Sequence, residues 1–114
     1  QQESEQTGEG PGATVTMTNQ FTFEPQRVEI VQGETVLWKN TSQVMHTVTA
    51  IPDKAQDKAH VALPEGAEPF GSGNLQPGDR FRHTFQVPGE YRYFCIPHEA
   101  LGMVGTVVVK PREE

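Results

Sequence analysis

Turn-forming dipeptides that each precede a short run of β-branched and aromatic residues restrict the fold of this sequence more than any other feature. Gln32-Gly33, Pro77-Gly78 and Pro88-Gly89 each stand directly before such a run. Gly and Pro favour turns, whereas Val, Thr, Phe and Tyr favour strands. The pattern predicts an all-β fold of about eight strands. The predicted strands are 14–18, 20–23, 27–31, 34–40, 46–50, 79–86, 89–95 and 104–110.

Alternation along two of these segments predicts which side chains face the core, because successive residues of a strand point to opposite faces. Phe81 and Phe85 share one face of the sixth predicted strand. Tyr91, Tyr93 and Cys95 share one face of the seventh. We therefore expect both phenylalanines and both tyrosines to pack in the core. Cys95 should lie at the end of its strand with its thiol turned inward.

The strand pattern is interrupted between Pro52 and Pro77, where D-K-A-Q-D-K-A-H predicts one short helical excursion. Residues 1–13 are polar and acidic with almost nothing to bury, which predicts a disordered acidic tail or tether. A single domain should occupy 14–111, with a C-terminal tail at 112–114. No apolar run approaches the roughly 20 residues of a membrane-spanning helix. Only an N-terminal tether would then link the chain to a membrane.

The negative charge of the chain is concentrated in its tails. Of the formal net charge of −6, residues 1–13 contribute −3 and residues 112–114 contribute −1. The remaining 14–111 hold ten acidic and eight basic residues, which gives −2. This near-neutral body has no basic run and no alternation of aromatic and basic residues. The expected partners therefore do not include nucleic acid.

The single cysteine stands in a segment with metal-ligand chemistry, and it can form no internal disulfide. Residues 95–103 read C-I-P-H-E-A-L-G-M, which places a thiol, an imidazole and a thioether within nine residues. Two histidines, one cysteine and a weakly held axial methionine are the ligand set of electron-transfer copper sites. Cys95, His98 and Met103 therefore predict a loop that wraps one copper ion. A second histidine must come from elsewhere in the chain.

Three histidines lie outside this loop. His46 opens the segment H-T-V-T-A after the turn-prone N-T-S-Q, so it stands at a strand end from which it can face the loop. His60 lies in the polar excursion, where we expect a solvated side chain, since ligands need a rigid frame. His83 lies within a strand, where we expect a hydrogen-bonded place at the core margin. His46 is therefore the candidate for the second histidine ligand.

Together these features resemble the cupredoxins of the plastocyanin and pseudoazurin group. The resemblance covers about residues 20–110. It rests on the Cys-x2-His-x4-Met spacing, on N-T-S-Q-V-M-H-T-V and on P-G-E-Y-R-Y-F-C. It implies a cupredoxin-like Greek-key β-sandwich with a type 1 copper site near one end, and an exposed ring edge of His98 within an apolar docking patch. The residues available for that patch are Met45, Pro97, Leu101 and Gly102.

The resemblance also implies an electron-transfer protein rather than an enzyme. Such a protein works as a monomer and exchanges single electrons in brief complexes with a donor and an acceptor. A cytochrome or a membrane oxidase or reductase complex would fit either role, in a respiratory or a photosynthetic chain. The implied location is exported: the periplasm, the outer face of the cytoplasmic membrane, or the thylakoid lumen if the chain is photosynthetic. The fold alone does not identify the partners.

Two features depart from the group. Thr47 follows the first ligand where the group often has Asn, which puts the bracing of the ligand loop in doubt. Pseudoazurins have C-terminal helices beyond the strand that corresponds to V-V-V-K, whereas this sequence stops soon after that segment. The expected architecture is therefore closer to that of plastocyanin.

Two other functions remain as alternatives. A cysteine hydrolase would use Cys95 with His98 or His46, but the loop contains no Asn or Asp to orient the histidine. A copper storage or delivery protein is the stronger alternative, and it would favour exposed, exchangeable ligands. The predicted set is instead spread over two chain segments.

Overall fold

The computed structural model describes residues 12–112, which form a sandwich of two mixed β-sheets. Most of the predicted acidic tail, together with residues 113 and 114, lies outside the described residues. One sheet has the strand order β2-β1-β4-β7, and the other has the order β3-β9-β8-β5-β6. The strands are β1 (Ala13–Met17), β2 (Phe23–Glu24), β3 (Arg27–Val31), β4 (Thr35–Asn40), β5 (Thr49–Ala50), β6 (Phe70–Gly71), β7 (Arg80–Thr84), β8 (Gly89–Phe94) and β9 (Val104–Lys110). The predicted all-β sandwich is confirmed.

The sheets are mixed because β1 pairs with β4, and β3 with β9, in parallel. The predicted bounds of β3 and β9 agree with the structure, whereas the predicted strand at 46–50 is shortened to Thr49–Ala50. His46 makes only an isolated bridge to Leu75. β6 was not predicted, because two residues after a proline give no alternation to recognise.

Three short 3₁₀ helices lie between strands in the described part of the chain. Pro52–Lys54 and Lys58–His60 form the helical excursion that the sequence predicts. A third segment, Ile96–Leu101, lies between β8 and β9, where only a loop was expected. No helix among the described residues is long and apolar enough to cross a membrane.

The core fills the space between the two sheets and extends to one end of the sandwich. Phe85, Tyr91, Tyr93 and Cys95 are buried as predicted, and Phe81 is half-buried against the core. Tyr93 meets Trp38 of the opposite sheet edge-to-face, with ring centroids 5.3 Å apart. Such aromatic pairs contribute about 0.5–1.5 kcal/mol beyond the area that they bury. This packing holds the end of β8, and Cys95 directly after it, inside the sandwich.

Candidate metal centre

Three of the four predicted ligand residues converge at one end of the sandwich. The Sγ atom of Cys95 lies 3.6 Å from Nδ1 of His46 and 3.3 Å from Nδ1 of His98. These three donor atoms all lie within 4.8 Å of one another, and no other such group of His, Cys, Asp or Glu occurs in residues 12–112. His46 and Cys95 are fully buried, whereas His98 is partly exposed.

The turn between β4 and β5 delivers His46 to this cluster. Asn40, at the end of β4, donates from Nδ2 to the carbonyls of Val44 and Leu75 at 2.8 and 2.9 Å. Its Oδ1 accepts from the backbone N–H and the hydroxyl of Ser42. The His46 backbone then exchanges two hydrogen bonds with Leu75, at 3.0 and 2.8 Å. One buried amide therefore holds the turn that N-T-S-Q predicted.

The ring orientation of His46 is set by a backbone carbonyl. Nε2 lies 3.1 Å from the carbonyl oxygen of Thr18, which can only accept, so Nε2 carries the proton and Nδ1 presents its lone pair toward Cys95. Burial lowers the pKa of His46, against the opposing effect of the Thr18 hydrogen bond. Burial also lowers the pKa of His98. Both imidazoles therefore favour the neutral form, which is the form that binds metals.

The Cys95 thiol has no access to solvent, since its exposed fraction is 0%. Burial raises the pKa of this thiol, although a hydrogen bond from the Thr47 N–H, at 3.4 Å, opposes the shift. A nucleophilic cysteine needs the reverse, a lowered pKa and partial exposure. A metal ion would displace the proton from sulfur on binding. The environment of Cys95 therefore fits a metal ligand and disfavours the hydrolase alternative.

Thr47 supplies the brace that its identity had put in doubt. Its Oγ1 accepts a hydrogen bond of 2.9 Å from the N–H of Ile96, the residue after Cys95. The same hydroxyl lies 2.9 Å from Oγ1 of Thr49. Together with the bond from the Thr47 N–H to the Cys95 sulfur, these contacts join the His46 segment to the ligand loop.

The fourth predicted ligand, Met103, is 1% exposed and packs in the core. Its carbonyl accepts from the Cys95 N–H at 3.1 Å, and its own N–H donates to the His98 carbonyl at 3.4 Å. Gly102 precedes it with φ +85°, a left-handed conformation that lets the chain turn from the 3₁₀ segment into β9. The backbone of Met103 is therefore tied to two of the three clustered residues.

Comparison with known proteins identifies the family. The model of copper-binding proteins of the plastocyanin/azurin family matches residues 12–110, which is most of the chain. The chain belongs to this family.

Relatives and solved structures agree with that assignment. Plastocyanin of Scenedesmus fuscus is 33% identical over 88 residues, which cover 77% of this chain and 86% of that protein. Several chloroplastic plastocyanins that match are longer, and the chain spans 50% to 58% of their length. A purple cupredoxin from Nitrosopumilus maritimus is 30% identical, with a TM-score of 0.68 over 86% of this chain and 99% of that one. A copper-containing nitrite reductase from Thermus scotoductus is 28% identical, with a TM-score of 0.71 over all of this chain and 25% of that one.

The residues present fit the copper that the plastocyanin/azurin family binds. One sulfur and two imidazole nitrogens converge at a largely buried point, and the buried Met103 is hydrogen-bonded through its backbone to Cys95 and His98. Soft sulfur and imidazole ligands in this combination select copper and form type 1 electron-transfer sites. The chain is therefore a plastocyanin-like cupredoxin with one type 1 copper site, and it is an electron carrier.

Apolar residues that neighbour His46 and His98 in the chain are exposed to differing degrees, and they are called the apolar rim below. Leu101 is 64% exposed, Pro97 and Gly102 are also exposed, and Met45 is half-buried. Ile96, which the sequence analysis did not include, is 42% exposed. Its neighbour Cys95 is buried, and the alternation of faces between successive residues could have predicted that Ile96 is exposed.

A second residue that the sequence analysis missed is Glu99. Its carboxylate, 4% exposed, accepts hydrogen bonds from the backbone N–H groups of Gln56 and Asp57 and from Nδ1 of His60, at 2.8–3.0 Å. Burial opposes ionisation, but these hydrogen bonds outweigh it and lower the pKa of Glu99. Glu99 directly follows His98, so these hydrogen bonds fasten the helical excursion to the segment that carries His98.

The two remaining histidines differ from expectation in their surroundings. His60 is half-buried and paired with Glu99 rather than solvated. His83 lies at the core margin as predicted, but stacking places it there: its ring lies 4.1 Å from that of Phe70, at 16°. Neither belongs to the cluster of donor atoms.

Proposed function

We propose that His46, Cys95, His98 and Met103 hold one copper ion, and that the chain carries single electrons between redox proteins through the exposed edge of His98. The observation that carries this proposal is the convergence of three donor atoms from two distant chain segments, with Cys95 and His46 fully buried. The copper would supply the chemistry, by alternating between Cu(I) and Cu(II) as one electron arrives or leaves.

The protein's own contribution is to hold the donor atoms still. Nε2 of His46 is tied to the Thr18 carbonyl, and the Cys95 sulfur accepts from the Thr47 N–H. Pro97 has no N–H, so it adds no further donor near the sulfur and stiffens the loop. Ligands held in this way by a folded scaffold need little rearrangement when the charge of the site changes, which favours rapid transfer.

The exit route follows from exposure. His98 is the only one of the three clustered donors with a solvent-accessible side chain, and exposed residues of the apolar rim flank it in the chain. A small apolar rim suits a transient complex, in which the partner dissociates after each electron. We assign Met45, Pro97, Leu101 and Gly102 to this docking patch, and we add Ile96.

We also propose partners and a location for this chain, on the basis of its family. The donor and acceptor are a cytochrome or a membrane oxidase or reductase complex. The chain works as a monomer in an exported compartment, either the periplasmic side of a membrane or the thylakoid lumen. An N-terminal tether would restrict it to the membrane surface.

An electron carrier is favoured over the other function classes. A copper enzyme needs a substrate site or further copper centres, and within the described residues His60 and His83 are engaged with Glu99 and Phe70 instead. A delivery protein needs ligands that a partner can reach, whereas Cys95 and His46 are inaccessible. Neither alternative matches the site as well as electron transfer does.

Charge placed on the apolar rim tests the exit route. We expect Leu101→Asp to lower the second-order rate constant for electron exchange with a soluble c-type cytochrome about tenfold, because it puts a solvated carboxylate in the contact. The visible spectrum should not change. The control is Gln86→Asp, an exposed position at the opposite end of the sandwich that adds the same charge. Equal rates for the two variants would contradict the assignment of this end.

A further inference from the structure

We propose that Phe21 is a positioning residue for the imidazole of His98, and that it thereby sets the reduction potential of the site and the rate at which copper is lost. This inference rests on the proposed role of His98 as a copper ligand. It assigns to the loop between β1 and β2 a function that neither the ligand spacing nor the apolar rim predicts.

The two imidazoles of the site are held in different ways. The ring of His46 is anchored by the hydrogen bond from Nε2 to the Thr18 carbonyl. For His98, the described residues offer no hydrogen-bond partner at Nε2, and Nδ1 faces the Cys95 sulfur. Histidine ligands are ordinarily oriented through the ring nitrogen that does not bind the metal. His98 therefore needs another means of orientation.

Phe21 provides that means by ring contact. Its centroid lies 4.6 Å from that of His98, at an interplanar angle of 43°. The same ring lies 6.5 Å from that of His46, edge-on at 72°, and the two imidazoles are 4.9 Å apart. Aromatic rings at these separations attract each other and resist rotation. Phe21 thus completes a cluster of three rings and packs against His98, which is the partly exposed imidazole of the site.

The loop that carries Phe21 holds it in an unfavourable conformation. Phe21 has φ +63°, the left-handed region that residues with a Cβ seldom adopt and that Gly or Asn would occupy more readily. The hydroxyl of Thr18 accepts from the N–H groups of Gln20 and Thr22, at 3.2 and 3.3 Å. Residues held in such a backbone conformation cluster at functional sites, so the conformation of Phe21 supports a functional role for this loop.

One atom couples the two orienting devices. The carbonyl oxygen of Thr18 accepts from the backbone N–H of Phe21 at 3.2 Å and from Nε2 of His46 at 3.1 Å. The same loop therefore orients His46 by a hydrogen bond and His98 by stacking. A residue that served only to cover the surface would need neither the left-handed backbone nor this shared acceptor.

The test compares Phe21→Leu, which keeps apolar bulk but removes the aromatic face, with Phe21→Tyr, which keeps the ring. In the metal-free proteins, the ring protons of His98 are followed by NMR. We expect Phe21→Leu to abolish their ring-current shift and Phe21→Tyr to retain it. In the copper-loaded proteins, we expect Phe21→Leu alone to shift the reduction potential and to raise the rate of copper loss to a chelator about 2- to 10-fold.

The outcomes separate this inference from the proposed function. If wild-type protein takes up no copper, the proposed function fails, and the metal-free spectra still report whether Phe21 orients His98. If copper binds and Phe21→Leu matches wild type in ring-proton shifts, potential and copper loss, the positioning role is overturned. Should Phe21→Leu not fold, Phe21→Met replaces it, and a potential unchanged from wild type would have the same meaning.

Discussion

The brace made by Thr47 gives a prediction whose size follows from the contacts. Thr47→Val keeps the branched shape and the backbone N–H that faces the Cys95 sulfur. It removes the hydroxyl that accepts from the Ile96 N–H and pairs with Thr49. Each such hydrogen bond contributes about 1 kcal/mol net, and a group left without a partner adds to the loss. We expect Thr47→Val to lower the free energy of unfolding by about 2–3 kcal/mol.

Thr49→Val is the matched control, because it removes the pair between the two hydroxyls and leaves the Ile96 bond in place. Its expected cost is about 1 kcal/mol. Both variants are unfolded in urea without metal and followed by the fluorescence of Trp38, the single tryptophan, which is fully buried. The difference between the two costs measures the bond that joins the His46 segment to the ligand loop.

Two results would refute this reasoning. Equal costs for Thr47→Val and Thr49→Val would mean that the bond to Ile96 adds nothing to the stability of the fold. A loss for Thr47→Val below about 0.5 kcal/mol would mean that water replaces both partners, so that the segments are joined only by packing and by the bond to sulfur.

The remaining predictions concern groups outside the ligand set. Glu99→Gln removes the negative charge and turns the carboxylate oxygen that only the Gln56 N–H contacts into an N–H₂ donor, so we expect a loss of about 1–3 kcal/mol and faster hydrogen exchange at the Gln56 amide. Exchange rates equal to wild type would contradict this role. His83→Phe should keep the stacking on Phe70 while removing a titratable group. Burial lowers the pKa of His83 below 6.5, the ordinary value of a histidine side chain. As the pH falls, the histidine is therefore protonated in the unfolded chain before it is protonated in the folded protein, and the free energy of unfolding decreases. Metal-free His83→Phe should therefore lose less stability than wild type between about pH 7 and pH 5, and parallel curves would count against the buried neutral imidazole.

Local signals in the sequence account for most of the strands and for the ligand loop. The turn dipeptides predicted the all-β fold, and the alternation along β8 predicted the inward face of Cys95, because these signals act over a few residues; the sandwich itself was implied by the family resemblance. The spacing of Cys95, His98 and Met103 likewise lies within one loop. His46 could be assigned only by exclusion and resemblance, since its partner, the Thr18 carbonyl, is 28 residues away in sequence.

What the sequence could not predict are contacts between distant segments. The bond from Ile96 to Thr47 spans 49 residues, and the bonds from Gln56 to Glu99 span 43. Neither leaves a periodic or compositional trace. Phe21 in a left-handed conformation is equally invisible, because its sequence context gives no reason to expect φ above zero. Contacts that position the ligand residues depend on the completed fold, whereas the ligand residues themselves can be recognised from the sequence.

The visible absorption spectrum of the oxidised, copper-loaded protein tests the central claim most directly. One copper per chain bound through the Cys95 sulfur should give an intense band in the visible range, and Cys95→Ser should abolish it while the fold is retained. A wild-type protein that binds copper without such a band would contradict the type 1 electron-transfer site. An equally intense band in Cys95→Ser would contradict the assignment of Cys95 as the ligand.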